Sequence, residues 1–245
     1  HLDYRMDSYV RIILDELFGP ENLRNEIIWH YSGWNIPHRT NFNRRHDVIL
    51  YYSRTDEPQF YGFSIPYTSE EEYLATRKQK LYVDEDGRKY TLDVRNGGRR
   101  RRRIYVDIAM QRGQPADDVW EVGKINNSSK EHLGYQTQKP ESLIERVILA
   151  SSSSGDLVAD FFCGSGTALA VAEKLGRRWI GSDLSKFAIH TTRKRMMEIS
   201  ASKSLENQDM DYDLSPRPFV IQNLSEYSTY QFAEREQENR ERYFD

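Results

Sequence analysis

The sequence predicts an α/β fold: a parallel-rich sheet with helices on both faces, carrying a loop-rich insert of short strands. Three observations predict it. Residues 156–200 read strand, helix, strand, helix, the order that gives parallel strands joined by right-handed crossovers. A Gly-x-Gly turn, Gly164 and Gly166, stands where the first of these strands passes into its helix. Residues 55–135 lack a sustained period and hold turn formers such as "DEDG" and "RNGG".

From the N-terminus, "RMDSYVRIILDELF" places Met6, Tyr9, Val10, Ile13, Leu14 and Leu17 at helical spacing, and Gly19-Pro20 stops the pattern. "NEIIWHY" and "HDVILYYS" are apolar, β-branched and aromatic runs bounded by turn formers, hence strands. Within the insert, "RRIYVDIA" reads as a strand. "TQKPESLIERVILASS" reads as a helix with a Ser/Thr-type cap, Pro140 at or near its first position, Glu141 in its first turn, and Leu143, Ile144, Val147 and Ile148 on one face. Then "DLVADFF" is a buried strand, "GTALAVAEKLG" a helix ending at Gly176, "RRWIGSD" a strand and "SKFAIHTTRKRMMEIS" a helix. In the C-terminal part, "RPFVIQNL" is a candidate edge strand.

Composition sets outer bounds. Mean hydropathy is −0.81 and charged residues are 30 % of the chain, so apolar side chains concentrate in few segments. No run approaches the roughly 18 apolar residues of a membrane span, and "HLDYRMDSYV" lacks the pattern of a signal peptide. The single Cys163 excludes an internal disulfide and fits a reducing, cytoplasmic compartment. No membrane partner is expected. The net charge of −3 conceals a segregation: residues 88–112 carry a net +7 and residues 201–245 a net −5. A polyanion would therefore meet one face only. The chain opens without Met and closes on "FAEREQENRERYFD" with no stop signal, so both ends read as cuts.

Glycines at a strand–helix junction let backbone approach a ligand, and the helix start offers free amides. Asp183 ends the next strand, near where an α/β nucleotide site puts a carboxylate on ribose hydroxyls. Ala168 and Leu169 stand where a third glycine of the dinucleotide fingerprint would be needed, so a nucleoside without phosphates, such as S-adenosylmethionine, fits better. A tight turn with close helix packing is the bland alternative.

"DFFCGSGT" followed by "RRWIGSDLS" resembles the cofactor motif and ribose-binding strand of the amino DNA methyltransferases, which methylate adenine N6 or cytosine N4. "TQKPESLIERVI" resembles that family's other cofactor-side motif, and its place ahead of the glycine turn matches the permuted order of the beta group. "LFGPENLRNEIIWHYSGW" with "RRHDVILYYS" resembles the segment leading into the target-recognition region. The resemblance implies a Rossmann-like methyltransferase sheet and S-adenosylmethionine as cofactor. Asp160, Phe162, Gly164, Gly166 and Thr167 would surround its methionine part. Asp183 would bind the ribose, and Thr137, Lys139 and Pro140 would line the carboxylate side. Cys163 reads as a small buried hydrophobe.

The family's catalytic loop, an Asp, Asn or Ser followed by Pro-Pro and an aromatic, is absent from the chain. The nearest imitation, "SIPY" (Ser64–Tyr67), reads as a turn. The beta order puts the loop before His1, so a missing N-terminal segment or a second chain would supply it, and the catalytic residues stay unassigned.

The resemblance implies double-stranded DNA as partner, with a flipped adenine or cytosine as target. Arg39, Arg44, Arg45 and the run Arg99, Arg100, Arg101, Arg102 and Arg103 suit phosphates, and Trp34 suits a base. The bland reading of the run is a solvated loop, and Trp29, Tyr31, Phe42, Tyr51 and Tyr52 read as core or sheet packing. The histidines show no metal-ligand spacing, so no metal is expected. By this reading, residues 1–30 hold the leading helix and strand of the core, and 31–135 the target-recognition region. Residues 136–200 hold the cofactor-binding part and 201–245 an acidic extension. Two other classes stay open: a non-catalytic DNA-binding scaffold, and an enzyme acting on RNA or a small molecule.

Overall fold

The computed structural model describes residue 1 and residues 5–33, 37, 40–95 and 100–223, without the side chains of Arg95 and Arg100. It divides into two units, His1–Ser215 and Pro216–Asp245. In the second, residues 216–223 form no strand, so the edge strand expected there is not found in its described part.

The elements of the first unit are α1 (Asp7–Phe18), β1 (Leu23–His30), β2 (His46–Tyr52), β3 (Ser64–Ile65), α2 (Glu70–Arg77), β4 (Tyr82–Val83), β5 (Lys89–Arg95), β6 (Arg100–Tyr105), α3 (Val106–Arg112), β7 (Gln114–Pro115), β8 (Val119–Glu121), α4 (Glu141–Ser151), β9 (Leu157–Asp160), α5 (Thr167–Lys174), β10 (Arg178–Gly181) and α6 (Lys186–Met197). Strands β9 and β10 run parallel, Leu157 opposite Arg178 and Asp160 opposite Gly181. A second sheet, in the order β2-β1-β8, pairs β1 antiparallel with β2 and parallel with β8.

Alternation along β1 buries Ile27 and Trp29 with Ile49, Trp120 and Val122. The Trp29 indole, 2 % exposed, donates to the Val122 carbonyl at 2.7 Å, which satisfies its only polar atom. Helix α4 joins this core to the next. Leu143 packs into it, while Ile148 packs with Val171 and Ala172 of α5 against Val158 and Trp179 of the parallel pair. Full burial of a side chain such as Leu143 stabilises by about 1.5–3 kcal/mol. The positions of α4, the glycine turn and β10 are thereby fixed together.

Several expectations change. α1 buries none of its residues, and Met6, Tyr9, Ile13 and Leu17 are exposed. The run "DLVADFF" is only half covered: the strand ends at Asp160, and Leu157, Phe161 and Phe162 are exposed. Phe42, read as packing, is 98 % exposed. In "RRIYVDIA" the strand stops at Tyr105 and Val106 starts α3, where Val106 and Ala109 bury with Tyr67 and Tyr73. "SIPY" is no free turn: Ser64 and Ile65 pair with β7, and Tyr67 is buried. α4 has Pro140 as its N-cap with no side-chain cap. The Glu131 carboxylate takes that role from a loop, accepting from the Glu141 amide at 2.7 Å. α2 was not expected, although its signal is visible: the Ser69 hydroxyl accepts from the Glu72 amide, and the Glu72 carboxylate accepts from the Thr68 amide.

Candidate cofactor site

The site is built where β9 and β10 end side by side. Gly164 and Gly166 have φ of 50° and 73°. A Cβ on Gly164 would lie 3.3 Å from the Tyr135 ring, and one on Gly166 would lie 2.7 Å from the Thr192 side chain. Conformation asks for glycine at both positions, and at Gly166 space does as well. The Ser182 amide donates to the Asp160 carbonyl at 2.9 Å and the Cys163 amide to the Ser182 carbonyl at 3.0 Å, which extends the strand pairing into the turn.

Asp183 reaches back to this turn. Its Oδ2 accepts from the Gly164 amide at 2.9 Å and its Oδ1 from the Ser185 amide at 2.9 Å. Each carboxylate oxygen keeps further accepting capacity. Asp160 accepts from the Phe162 amide at 3.1 Å, and the Phe162 ring is 89 % exposed. Tyr135, which sequence reading did not single out, lies against Gly164 and stacks on Phe187, with centroids 5.8 Å apart and planes 7° from parallel. Burial raises the Tyr135 phenol pKa, and the nearby Asp183 charge raises it further.

The Lys-Pro segment borders a neighbouring cleft, whose lining includes Tyr135 but neither the glycine turn nor Asp183. This cleft, of about 180 Å³, is lined by Trp29, Asp47, Lys124, Thr137, Lys139 and Pro140, among others. Thr137 is exposed, and its carbonyl accepts from Lys139 Nζ at 2.7 Å. Burial lowers the Lys139 pKa, with the Asp47 carboxylate pulling it back up and the Lys124 cation lowering it. Burial likewise raises the Cys163 thiol, which fits a packing role for it.

Behind the turn and this segment lies a buried ionic cluster. Glu141 Oε2 accepts from Lys174 at 2.6 Å, and its Oε1 accepts from Arg195 Nη2 at 2.7 Å. The other arm of Arg195 donates to Thr167 Oγ1 at 2.9 Å, and Thr167 donates to the Lys139 carbonyl at 3.3 Å. The sequence hid this cluster: Glu141 reads as a first-turn acid, and Arg195 sits in the basic run "RKRMM". Only its spacing from Thr192 along the buried side of α6 points to it.

The structure thus gathers Asp160, Phe162, Gly164, Gly166, Thr167 and Asp183 at one sheet end and ties Lys139 to them through Thr167. The candidate DNA contacts are more dispersed. Trp34, Arg39 and Arg99 lie outside the described residues. Arg44 is exposed, and the Arg45 carbonyl accepts from the Tyr31 amide at 2.9 Å. The arginine run is a strand rather than a loop. Register puts Arg101 opposite Val94 and Arg103 opposite Leu92 on one face, with Arg102 opposite Asp93 on the other. Arg103 lies over the Tyr90 ring, 4.8 Å from its centroid. Among the described residues, no group of His, Cys, Asp and Glu side chains could hold a metal ion, and no helix is long and apolar enough to cross a membrane.

Comparison with known proteins adds a family. Residues 1–194 match the model of a family described as DNA methylase. The chain is 31 % identical over 189 residues to the type II methyltransferase M.HpaI of Haemophilus parainfluenzae, covering 77 % of this chain and 49 % of that protein. It is 46 % identical over 85 residues to the type II methyltransferase M2.DpnII of Streptococcus pneumoniae, covering 34 % and 31 %. Against the crystallised cytosine-N4-specific PvuII DNA methyltransferase the TM-score is 0.49 at 15 % identity, over 77 % of this chain and 56 % of that one. The chain spans half or less of the length of the two type II relatives.

Proposed function

The chain belongs to the DNA methylase family, and on that premise we propose that it is the cofactor-binding and DNA-reading part of an enzyme that methylates the exocyclic amine of adenine or cytosine in DNA. The observation that carries the reading is the hydrogen bond from the Gly164 amide to Asp183. It brings an acid from the end of one parallel strand onto a glycine turn at the end of its neighbour, the arrangement suited to a nucleoside.

S-adenosylmethionine fits this site. The left-handed turn at Gly164 and Gly166 lets backbone approach a ligand closely, Asp183 keeps lone pairs for two ribose hydroxyls, and Tyr135 with Phe187 offers an aromatic wall for the base. Lys139 would neutralise the cofactor carboxylate, with Thr137 and Pro140 lining that side. Asp160, Phe162 and the turn border the methionine part. The bound cofactor supplies an electrophilic methyl group, and the residues of this chain hold and orient it. The loop that would turn a flipped base toward that methyl comes from an upstream segment or from a second chain. Duplex DNA lies along residues 31–135, where Arg44, Arg45, Arg101 and Arg103 meet phosphates. Arg39, Arg99, Arg100, Arg102 and Trp34 belong to the same region. The enzyme works in the cytoplasm.

Calorimetric titration with S-adenosylmethionine tests the cofactor site, on this chain and on the chain extended upstream through a Pro-Pro-aromatic loop. We expect Asp183→Asn to weaken binding about tenfold or more, since each lost charge-assisted hydrogen bond is worth about 1.5–3 kcal/mol. Transfer of labelled methyl to duplex DNA by the extended form tests the reaction. Duplex binding with no cofactor binding in either form would instead mark a DNA-binding scaffold.

A further inference from the structure

The resemblance assigns Thr167 to the cofactor, yet the Thr167 hydroxyl has no capacity to spare. A hydroxyl offers one donor and two acceptor positions. Its donor goes to the Lys139 carbonyl, and its oxygen takes Arg195 Nη1 at 2.9 Å and stands 3.2 Å from the Ser165 hydroxyl. The residue is 5 % exposed. Arg195, 8 % exposed, spans the gap between the glycine turn and the Lys-Pro segment. One arm holds Thr167 and the Ser165 carbonyl of the glycine turn, and the other holds Glu141, which starts the helix of the Lys-Pro segment.

A closed circuit results: from Lys139 through Thr167 and Arg195 to Glu141, two residues along the chain. A guanidinium suits this place because its planar fork serves two acceptors at fixed angles, which an ammonium cannot do. The second cation, Lys174, binds Glu141 from the far end of α5 and the Lys203 carbonyl, and makes no bond to the turn.

We propose that Arg195 is a positioning residue that locks the glycine turn to the Lys-Pro segment through Thr167 and Glu141, so that these two parts of the cofactor site keep one spacing. This rests on the cofactor reading given above. The lock itself is a property of the protein alone and can be tested without cofactor. Arg195 touches no reacting group. It acts through Thr167 and the turn.

Three variants of the 245-residue chain separate positioning from mere stability. Arg195→Lys keeps the charge facing Glu141 but cannot serve both arms. Thr167→Val removes the hydroxyl at nearly constant shape. Lys174→Met breaks the same ionic cluster on the side away from the turn. Two readouts are taken: the rate at which iodoacetamide alkylates the buried Cys163 inside the turn, and the affinity for S-adenosylmethionine. Arg195→Lys and Thr167→Val should each speed alkylation and weaken cofactor binding by about tenfold, the effect of losing roughly one hydrogen bond to a charged group. Lys174→Met should lower the melting temperature while leaving both readouts near wild type.

The inference is overturned if all three variants change both readouts in proportion to their loss of stability. It is also overturned if the first two leave alkylation unchanged, or if alkylation accelerates with affinity intact. A wild-type chain that binds no S-adenosylmethionine overturns the cofactor reading instead, and the alkylation rates then decide the lock on their own.

Discussion

The segment around the glycine turn and the insert around β5 and β6 are both rich in charge, and they use it in opposite ways. Around the turn, Glu141, Lys174 and Arg195 are buried and satisfy one another. In the insert, Arg88 pairs with Asp107 at an exposed site and lies over the Tyr105 ring, while Arg101, Arg102 and Arg103 are exposed on a strand. Buried charge fixes geometry because a misplaced ion in low dielectric is costly. Exposed charge is screened, contributes little to stability, and remains available to a partner. The contrast separates residues that hold the fold from residues that face outward.

The largest effect that should set the regions apart comes from removing one acid in each. Glu141→Ala leaves two cations buried without their carboxylate and should cost about 3–5 kcal/mol. Asp107→Ala should leave the urea midpoint unchanged, because its partner Arg88 is solvated. Equal losses in the two variants would end the comparison. A smaller effect tests whether the insert has rigid polar architecture of its own. Tyr73 bonds the fully buried Thr91 hydroxyl at 2.7 Å. Tyr73→Phe should therefore cost about 1–2 kcal/mol by leaving that group unpaired, and a neutral result would make the insert merely a surface.

The smallest effect is a pH dependence. Lys139 has its pKa lowered by burial, and an anionic group bound beside it would raise it again. Cofactor binding then takes up a proton once the pH exceeds the lowered value. Affinity is full below that pKa and falls as pH rises through it, by no more than about tenfold per unit. Calorimetry over a pH series that approaches the ordinary lysine value from below should show the decline in the wild type and none in Lys139→Met. Affinity that stays flat with pH would remove Lys139 from the site.

Legibility follows the same divide. α4, β9, α5, β10 and α6 were readable because each is a local pattern with its own period and stops, and the glycine turn declared itself by residue type. The partners of those residues were not readable. That Thr167 is saturated, that Glu131 caps α4 and that Arg195 is buried all depend on contacts distant in sequence. In the insert even local signals competed. Val106 and Ile108 look like a continued strand, and tertiary burial of Val106 and Ala109 decides for helix. α2 sits in a stretch that lacks a sustained period, and its Ser69–Glu72 capping pair is its local signal.

The register of β5 against β6 makes the insert a molecular ruler for charge. Because side chains alternate, the register of β6 on β5 decides which arginines share the face of Tyr90. A slip of β6 by one residue against β5 would exchange the occupants of its two faces. Arg102 would then stand where Arg101 and Arg103 stand now. A one-residue change of register between two strands is thus a route by which such a protein can redraw its outward electrostatic pattern without altering one charged residue.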